Sequence, residues 1–342
     1  MRRNKLIAFN LTYAILLILF FEFSLRTFYA ILYRNPEIIL SPYSIADRFY
    51  PGVRERAAAP IAEQNGRIDI LMLGGSVLHP DWSSIELQLR QRLSNDYDCE
   101  IHIDNLAIPA HTSLDSRIKF SMLQDQHYDI LLLYHGINEA RFNNCPEEIF
   151  EEDYTHIEFY SFAYPLTYTL SRYSILPYVV GFLQRKLSQH RLVSRYFVEN
   201  EAWLQYGTNI KTVASFRNNY DEIVQMATRQ NTTVIIPSFA YYIPDSYSYA
   251  AFEEKKLDYI AHKTPIKVWG LPEAVEKGIL AHNRVIQNYN HEQVGVSVHY
   301  LDMNHMIPKE GKYFDDICHL SEAGSAAYIA ELYPLVQEII EK

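Results

Sequence analysis

Three patterns of apolar and polar positions follow one another along the chain. The first is an unbroken apolar run. Residues Leu6 to Phe21 carry no charge, and Asn10 and Thr12 are the only clearly polar side chains among them. Glu22 and Arg26 come next, four residues apart, a spacing that puts them on one helical face where they can pair. With that pair partly neutralised, the run continues through Phe28, Tyr29, Ile31 and Leu32. About 20 apolar residues cross a bilayer core, so residues 1–34 read as a cytoplasmic tip and one transmembrane helix. Arg2, Arg3 and Lys5 precede the run and place the N-terminus in the cytoplasm. Thr27 to Ala30 offer no small-x-small site, which favours an uncleaved anchor over a removable signal peptide.

The second pattern is an interruption. Pro36, Pro42, Pro51 and Pro60 break helical periodicity, and Ala57, Ala58 and Ala59 offer little to pack, so residues 35–66 read as a tether. The third pattern alternates short apolar runs with amphipathic stretches. Ile68–Leu73, Ile101–Ile103, Asp129–Tyr134, Thr232–Ile236 and Val294–Leu301 predict five strands. Between and after them, apolar positions at helical spacing predict helices. These are Ile85, Leu89 and Leu93 behind a Ser83 or Ser84 cap; Leu114, Ile118, Met122 and Leu123; Ile223, Met226 and Ala227; Ala274–Tyr289; and Ser321–Ile340. Strands this apolar are buried on both faces. The expected fold of residues 67–342 is therefore a three-layer α/β/α domain with a central parallel sheet of about five strands. At about 150–210 the alternation is suspended by a Tyr-rich helical insertion, with rings from Tyr154 to Tyr206 (Tyr196 and Phe197 among them) and Arg172, Arg191 and Arg195 interleaved. It reads as rings packed on the core, or else as a lid or membrane-facing cap.

Charge narrows the function classes. The net charge is −10. The first 34 residues contribute +4, which leaves −14 on the rest. A body that acidic is a poor partner for a phosphate backbone, so no nucleic acid is expected. Cys99, Cys145 and Cys318 are too sparse for a disulfide framework and lack metal-ligand spacing. His79, His102, His111, His135, His299 and His305 are scattered without helical i, i+4 spacing. No glycine-rich phosphate loop is present. Neither metal nor cofactor is expected.

In a parallel sheet, ligands bind beyond the carboxyl ends of the strands, which confines the search for chemistry. The first strand is followed by Gly74-Gly75-Ser76, a turn that can project a hydroxyl over the sheet edge. The second leads into Asn105–Ser113, where small Ala107 and Ala110 let backbone N–H groups face a ligand. The third ends in His135-Gly136-Ile137-Asn138-Glu139, whose Asn138 amide suits a developing oxyanion. The last precedes Phe314–Gly324, in which Asp316 and His319 lie three apart; a carboxylate so placed can hold one imidazole nitrogen while the other faces a nucleophile.

A Ser, a backbone donor, an amide and an Asp-His pair, in this order and each behind its own strand, resemble the SGNH/GDSL hydrolase superfamily over roughly residues 67–341. The resemblance implies a flavodoxin-like fold with Ser76 as nucleophile, His319 as base and Asp316 as its orienter. It also implies an oxyanion hole from the Ser76 N–H, the Ala110 N–H and the Asn138 amide. Two departures stand out: Gly75 occupies the place of the usual Asp before the nucleophile, and Ala110 that of the usual second-block Gly. Joined to an N-in anchor, the motifs look like a membrane-tethered bacterial branch. The resulting expectation is a serine esterase on an acyl ester, for example O-acetyl on a cell-envelope carbohydrate or a lipid ester. It would be single-pass in the inner (plasma) membrane, with its catalytic domain periplasmic. Two other readings use the same residues: an O-acyltransferase to a polysaccharide, and a non-catalytic membrane-tethered binding or assembly subunit.

Overall fold

The computed structural model describes residues 2–63, 65–187, 201–292 and 298–341. The chain divides into two units, Met1–Arg56 with Thr155–Ser194, and Ala57–Tyr154 with Arg195–Lys342.

The second unit is built on five parallel strands, β1 (Ile68–Gly74), β2 (Ile101–Asn105), β3 (Ile130–Tyr134), β4 (Thr233–Pro237) and β5 (Val298–Leu301), in the order β2-β1-β3-β4-β5. This is the doubly wound flavodoxin-like order. Every residue of β1 and β3 is buried, which is why their sequences are apolar apart from Asp69, whose carboxylate pairs with Arg67 and His102. Of the run expected as the fifth strand, Val298–Leu301 is strand, and Val294–Ser297 lie outside the described residues. Helices α1 (Ile85–Asp96), α2 (Ser113–Met122), α3 (Val213–Arg229), α4 (Pro272–Glu292) and α5 (Glu322–Ile340) complete the unit.

One core collects Ile70, Met72, Ile130 and Leu132 with Ile85, Leu89 and Leu93 of α1 and Tyr328, Ile329, Leu332 and Val336 of α5. Helices α1 and α5 thus pack together over one set of alternate strand residues. The crossover helices α2, α3 and α4 pack on one another, as right-handed connections require for the opposite face. Helix α5 starts as expected, with Ser321 Oγ accepting from the Gly324 N–H at 3.1 Å. Ser84 does sit at the N-cap of α1, but its hydroxyl donates to Glu322 Oε2 at 2.7 Å instead of capping. The partner on α5 outcompetes the local backbone.

In the first unit, the helix Arg2–Tyr33 contains the apolar stretch Leu6–Tyr33, long enough to cross a membrane. Its side chains are largely exposed. Arg34, at φ 54°, ends it in the left-handed turn of a helix C-terminus. The segment expected as a tether carries short helices at Glu37–Leu40, Pro42–Arg48 and Val53–Ala57, with Ile38, Ile45, Tyr50 and Val53 buried. Its prolines are compatible with this because Pro36 caps the first of these and Pro42 opens the second, positions where the missing N–H costs nothing. Phe49 meets Phe159 edge-on at 5.7 Å, and the Arg172 guanidinium lies 5.9 Å from the Tyr43 ring. Arg191, Arg195, Tyr196 and Phe197 lie outside the described residues.

Candidate active site

The segments behind β1, β2, β3 and β5 converge at the carboxyl end of the sheet. β1 ends in Gly74, and the chain turns through Gly75 into a single 3-10 turn, Ser76–Leu78. That turn aims the Ser76 hydroxyl at His319, with 2.7 Å between Oγ and Nε2. On the far side of the ring, the Nδ1–H of His319 donates to Asp316 Oδ2 at 2.6 Å. Residues 243 positions apart along the chain are thus in series: hydroxyl, imidazole, carboxylate. Asp316 is completely buried and accepts three further hydrogen bonds. The Cys318 and His319 N–H groups donate to its Oδ1 at 3.0 and 2.9 Å, and the Thr264 N–H donates to its Oδ2 at 2.9 Å. Four donors on one carboxylate fix its plane. The plane in turn fixes the imidazole tautomer, with Nδ1 protonated and Nε2 accepting.

The other two blocks lock onto this turn. The Leu106 N–H donates to Met72 O at 3.0 Å and the Ile108 N–H to Gly74 O at 3.3 Å, fastening the segment behind β2 to the end of β1. Ala110 adopts φ 66°. Alanine therefore occupies a left-handed position that glycine would take without strain, at about 1–2 kcal/mol. Asn138 Nδ2 donates to His111 O at 2.8 Å, joining the third block to the second. Gly75 is where all three meet: a Cβ there would lie 2.7 Å from Asn138 Nδ2 and 3.3 Å from His111 O. The chain leaves no room for a side chain before Ser76 while Asn138 keeps this position.

Residues that the motifs do not mark complete the site. Trp269 Nε1–H donates to Asn138 Oδ1 at 3.0 Å. That bond turns the amide oxygen away and commits the amide nitrogen to the side of His111 and Gly75. The Trp269 segment is itself held by residues just past Asn138: Arg141 Nε–H donates to Val268 O at 3.0 Å and Asn144 Nδ2 to Trp269 O at 2.8 Å. One connection, residues 238–271 between β4 and α4, thus supplies both Thr264 to Asp316 and Trp269 to Asn138. Its length was the only sequence signal for it, since connections that long are usually functional. Trp82 lies against His319, with ring centroids 4.3 Å apart and ring planes tilted by 34°. Lys263 steadies it, donating to Trp82 O at 3.4 Å while pairing with Asp315 at 2.7 Å. A groove of about 540 Å³ borders Trp82, lined by Arg90, Lys263, Asp315 and Glu322 among others.

His111 and His135 are buried beneath the site, and burial holds both well below the ordinary imidazole value. Phe239 is buried too, stacked on Tyr134 at 5.0 Å and packed over Gly136. It fills core between strand ends. Asp316, Cys318 and His319 place donor atoms within 4.8 Å of one another. However, Nδ1 of His319 is occupied by Asp316, and burial pushes the Cys318 thiol far up, so the set fits a hydrogen-bonded pair better than a cation. Cys99, Cys145 and Cys318 are all free thiols.

Under the second and third blocks lies a buried polar layer. Lys119, fully buried, donates to Leu106 O at 2.6 Å and lies 3.2 Å from His111 Nδ1; burial lowers it to about 8. Glu139 accepts the Ser113 N–H at 2.7 Å, and burial raises it from 4.5 to about 7. The folded protein therefore holds this proton more tightly than the unfolded chain. Its contribution to stability is intact below about pH 4.5 and is lost as pH rises through about 7. Glu139→Gln should lose less stability than wild type between pH 5 and 8, the difference being on the order of 2–3 kcal/mol. Thermal melts of both proteins at the two pH values read it, because other titrating groups cancel in the comparison. Parallel pH profiles would contradict it.

No protein-family model matches the chain, and no curated protein matches it. Solved structures do. A GDSL-like lipase from Bacteroides thetaiotaomicron aligns at 11% identity over 84% of this chain and 97% of that one, with a TM-score of 0.45. A lipase/acylhydrolase from Enterococcus faecalis aligns at 13% identity over 79% and 96%, with a TM-score of 0.39. An acetyl xylan esterase from Geobacillus stearothermophilus aligns at 11% identity over 82% and 96%, with a TM-score of 0.41. The chain is thus similar, at low identity, to solved proteins described as a GDSL-like lipase, an acylhydrolase and an acetyl xylan esterase.

Proposed function

We propose that the chain is a serine ester hydrolase of the SGNH/GDSL type, held to a membrane by its N-terminal helix. The observation that carries the reading is the series Ser76–His319–Asp316, joined by contacts of 2.7 and 2.6 Å. His319 Nε2 takes the Ser76 proton as Oγ attacks an ester carbonyl. The C–O bond to the alcohol then breaks, and His319 returns the proton to the departing oxygen. Water, deprotonated by the same nitrogen, releases the acyl group and restores Ser76. The oxyanion is met by the Ser76 and Ala110 N–H groups and by the second N–H of the Asn138 amide, whose first is given to His111.

The anchor reading rests on the length and apolarity of Leu6–Tyr33 and on the basic residues before it. It puts the N-terminus in the cytoplasm and the hydrolase on the other side of the inner membrane. An O-acyl group on an envelope carbohydrate or a lipid ester is the substrate class within reach there. Release of p-nitrophenol from short- and long-chain p-nitrophenyl esters by the full-length protein in detergent tests the activity. Absence of turnover across the whole chain-length series would leave a non-catalytic tethered subunit.

Trp269 provides a sharper test of the oxyanion assignment. Trp269→Phe keeps a ring in place and removes the N–H that orients Asn138. The variant should lose about tenfold in kcat with KM little changed, since one misaligned donor is worth roughly 1–2 kcal/mol. Equal kcat values would mean that the amide orientation does not matter to turnover.

A further inference from the structure

The first unit carries exposed apolar side chains that its own packing does not use. Leu40 is 88% exposed, Leu170 58%, Tyr173 71% and Leu187 86%. Val180, Leu183 and Leu187 recur at i, i+3 and i+7 and line one face of the helix Leu176–Leu187. Tyr178 of the same helix is buried, and Phe182 stacks on Phe162 at 5.8 Å. This helix is thus apolar on two faces, one packed and one open.

The Glu22–Arg26 ion pair ties the segments that carry these side chains to the N-terminal helix. Arg26 Nε donates to Glu22 at 2.7 Å. Arg26 Nη2 also donates to Tyr173 O at 2.7 Å, and Nη1 to Ile39 O and Leu40 O at 3.3 and 3.5 Å. Glu22 accepts from Ser174 Oγ at 2.7 Å and from the Ile175 N–H at 2.8 Å. Leu40, Tyr173 and the start of the helix Leu176–Leu187 are therefore fastened at the level of Arg26. Counted from Leu6 at 1.5 Å per residue, a hydrocarbon layer of about 30 Å ends near Arg26. Two independent lengths coincide there: the point at which the anchor leaves the hydrocarbon, and the point at which three exposed apolar segments are tied to it. Aromatic and aliphatic side chains at that depth are suited to the headgroup boundary.

We propose that Leu40, Leu170, Tyr173, Val180, Leu183 and Leu187 form a lipid-contacting collar, seated at the headgroup–acyl boundary beside the anchor helix. The collar rests on the anchor reading given above. Its occupant is the bilayer, because the segments that carry the patch are hydrogen-bonded to the one helix long and apolar enough to cross a membrane among the described residues. The collar adds an interfacial foot to the anchor, and a burial of this kind holds the first unit at a fixed depth.

Spin labels on the full-length protein in phosphatidylcholine–phosphatidylglycerol vesicles test it. Labels replace Leu16, Leu40, Tyr173, Leu183 and Leu87 one at a time, in a background where exposed Cys99 is serine. Collisions with oxygen, which concentrates in lipid, are compared with collisions with a water-soluble nickel chelate. Leu16 reports on the anchor, and exposed Leu87 of α1 gives the aqueous reference. The collar requires an oxygen-to-nickel ratio at positions 40, 173 and 183 several-fold above that at Leu87 and below that at Leu16. Ratios equal to that at Leu87, with Leu16 in lipid, overturn the collar and leave the anchor standing. Low access to both reagents means that protein, such as a second copy, covers the patch, and also overturns it. A water-exposed Leu16 removes the anchor and the collar together.

Discussion

Ser76→Ala is expected to reduce ester turnover by roughly 10^4–10^6-fold while leaving the fold in place. The size follows from the position of the hydroxyl at the head of the hydrogen-bonded series: without Oγ there is no nucleophile for His319 to activate, and only binding and the oxyanion donors remain. The fold should tolerate the change because alanine fits the same buried turn. The hydrogen bond lost to His319 is worth about 1 kcal/mol in stability, small against the 5–15 kcal/mol of a folded domain. Rates on a p-nitrophenyl ester, read beside circular dichroism and a thermal melt, separate the two effects. Wild-type rates from a well-folded Ser76→Ala protein would remove the nucleophile assignment.

Asp316→Asn should cost about 10^4-fold in kcat, nearly as much as a change of nucleophile. Both oxygens of Asp316 only accept: Oδ1 from the Cys318 and His319 N–H groups, Oδ2 from the Thr264 N–H and from His319 Nδ1–H. An amide must turn its NH2 toward one of these two pairs of donors. If it faces His319, the imidazole is driven to the other tautomer, with the proton on Nε2, where it cannot accept from Ser76, and the Thr264 N–H loses its acceptor. If it faces the backbone, two buried N–H groups lose their acceptor, at about 1–3 kcal/mol each. The variant should therefore melt earlier as well as turn over slowly. A kcat within tenfold of wild type, from a protein that melts like wild type, would contradict the role given to Asp316.

Much of the sheet was legible because its strands are buried on both faces. Ile68–Leu73 and Asp129–Tyr134 leave no other reading for runs so short and apolar, and both form central strands. The helices were legible from spacing, and the Ser321 cap from local chemistry. Where local and long-range partners competed, sequence reading failed: Ser84 caps nothing because Glu322 reaches its hydroxyl. The four blocks behind the strands were also readable, since each is a short run of residue types suited to one task. Thr264, Trp269 and Trp82 were not. Each acts through a contact with a residue far away in the chain, and no periodicity marks them. The strain at Ala110 was invisible for a related reason. An alanine in the left-handed region looks like any other alanine until the backbone angle is known.

Covalent labelling addresses the central claim most directly. The full-length protein is treated with a fluorophosphonate, and the adduct is weighed intact and mapped to a peptide. Activation of a single hydroxyl by His319 requires one phosphonyl group per chain, on Ser76, absent after Ser76→Ala and strongly reduced after His319→Ala. An unmodified wild-type protein, or an adduct on any other residue, would show that Ser76 and His319 lie 2.7 Å apart without making a nucleophile.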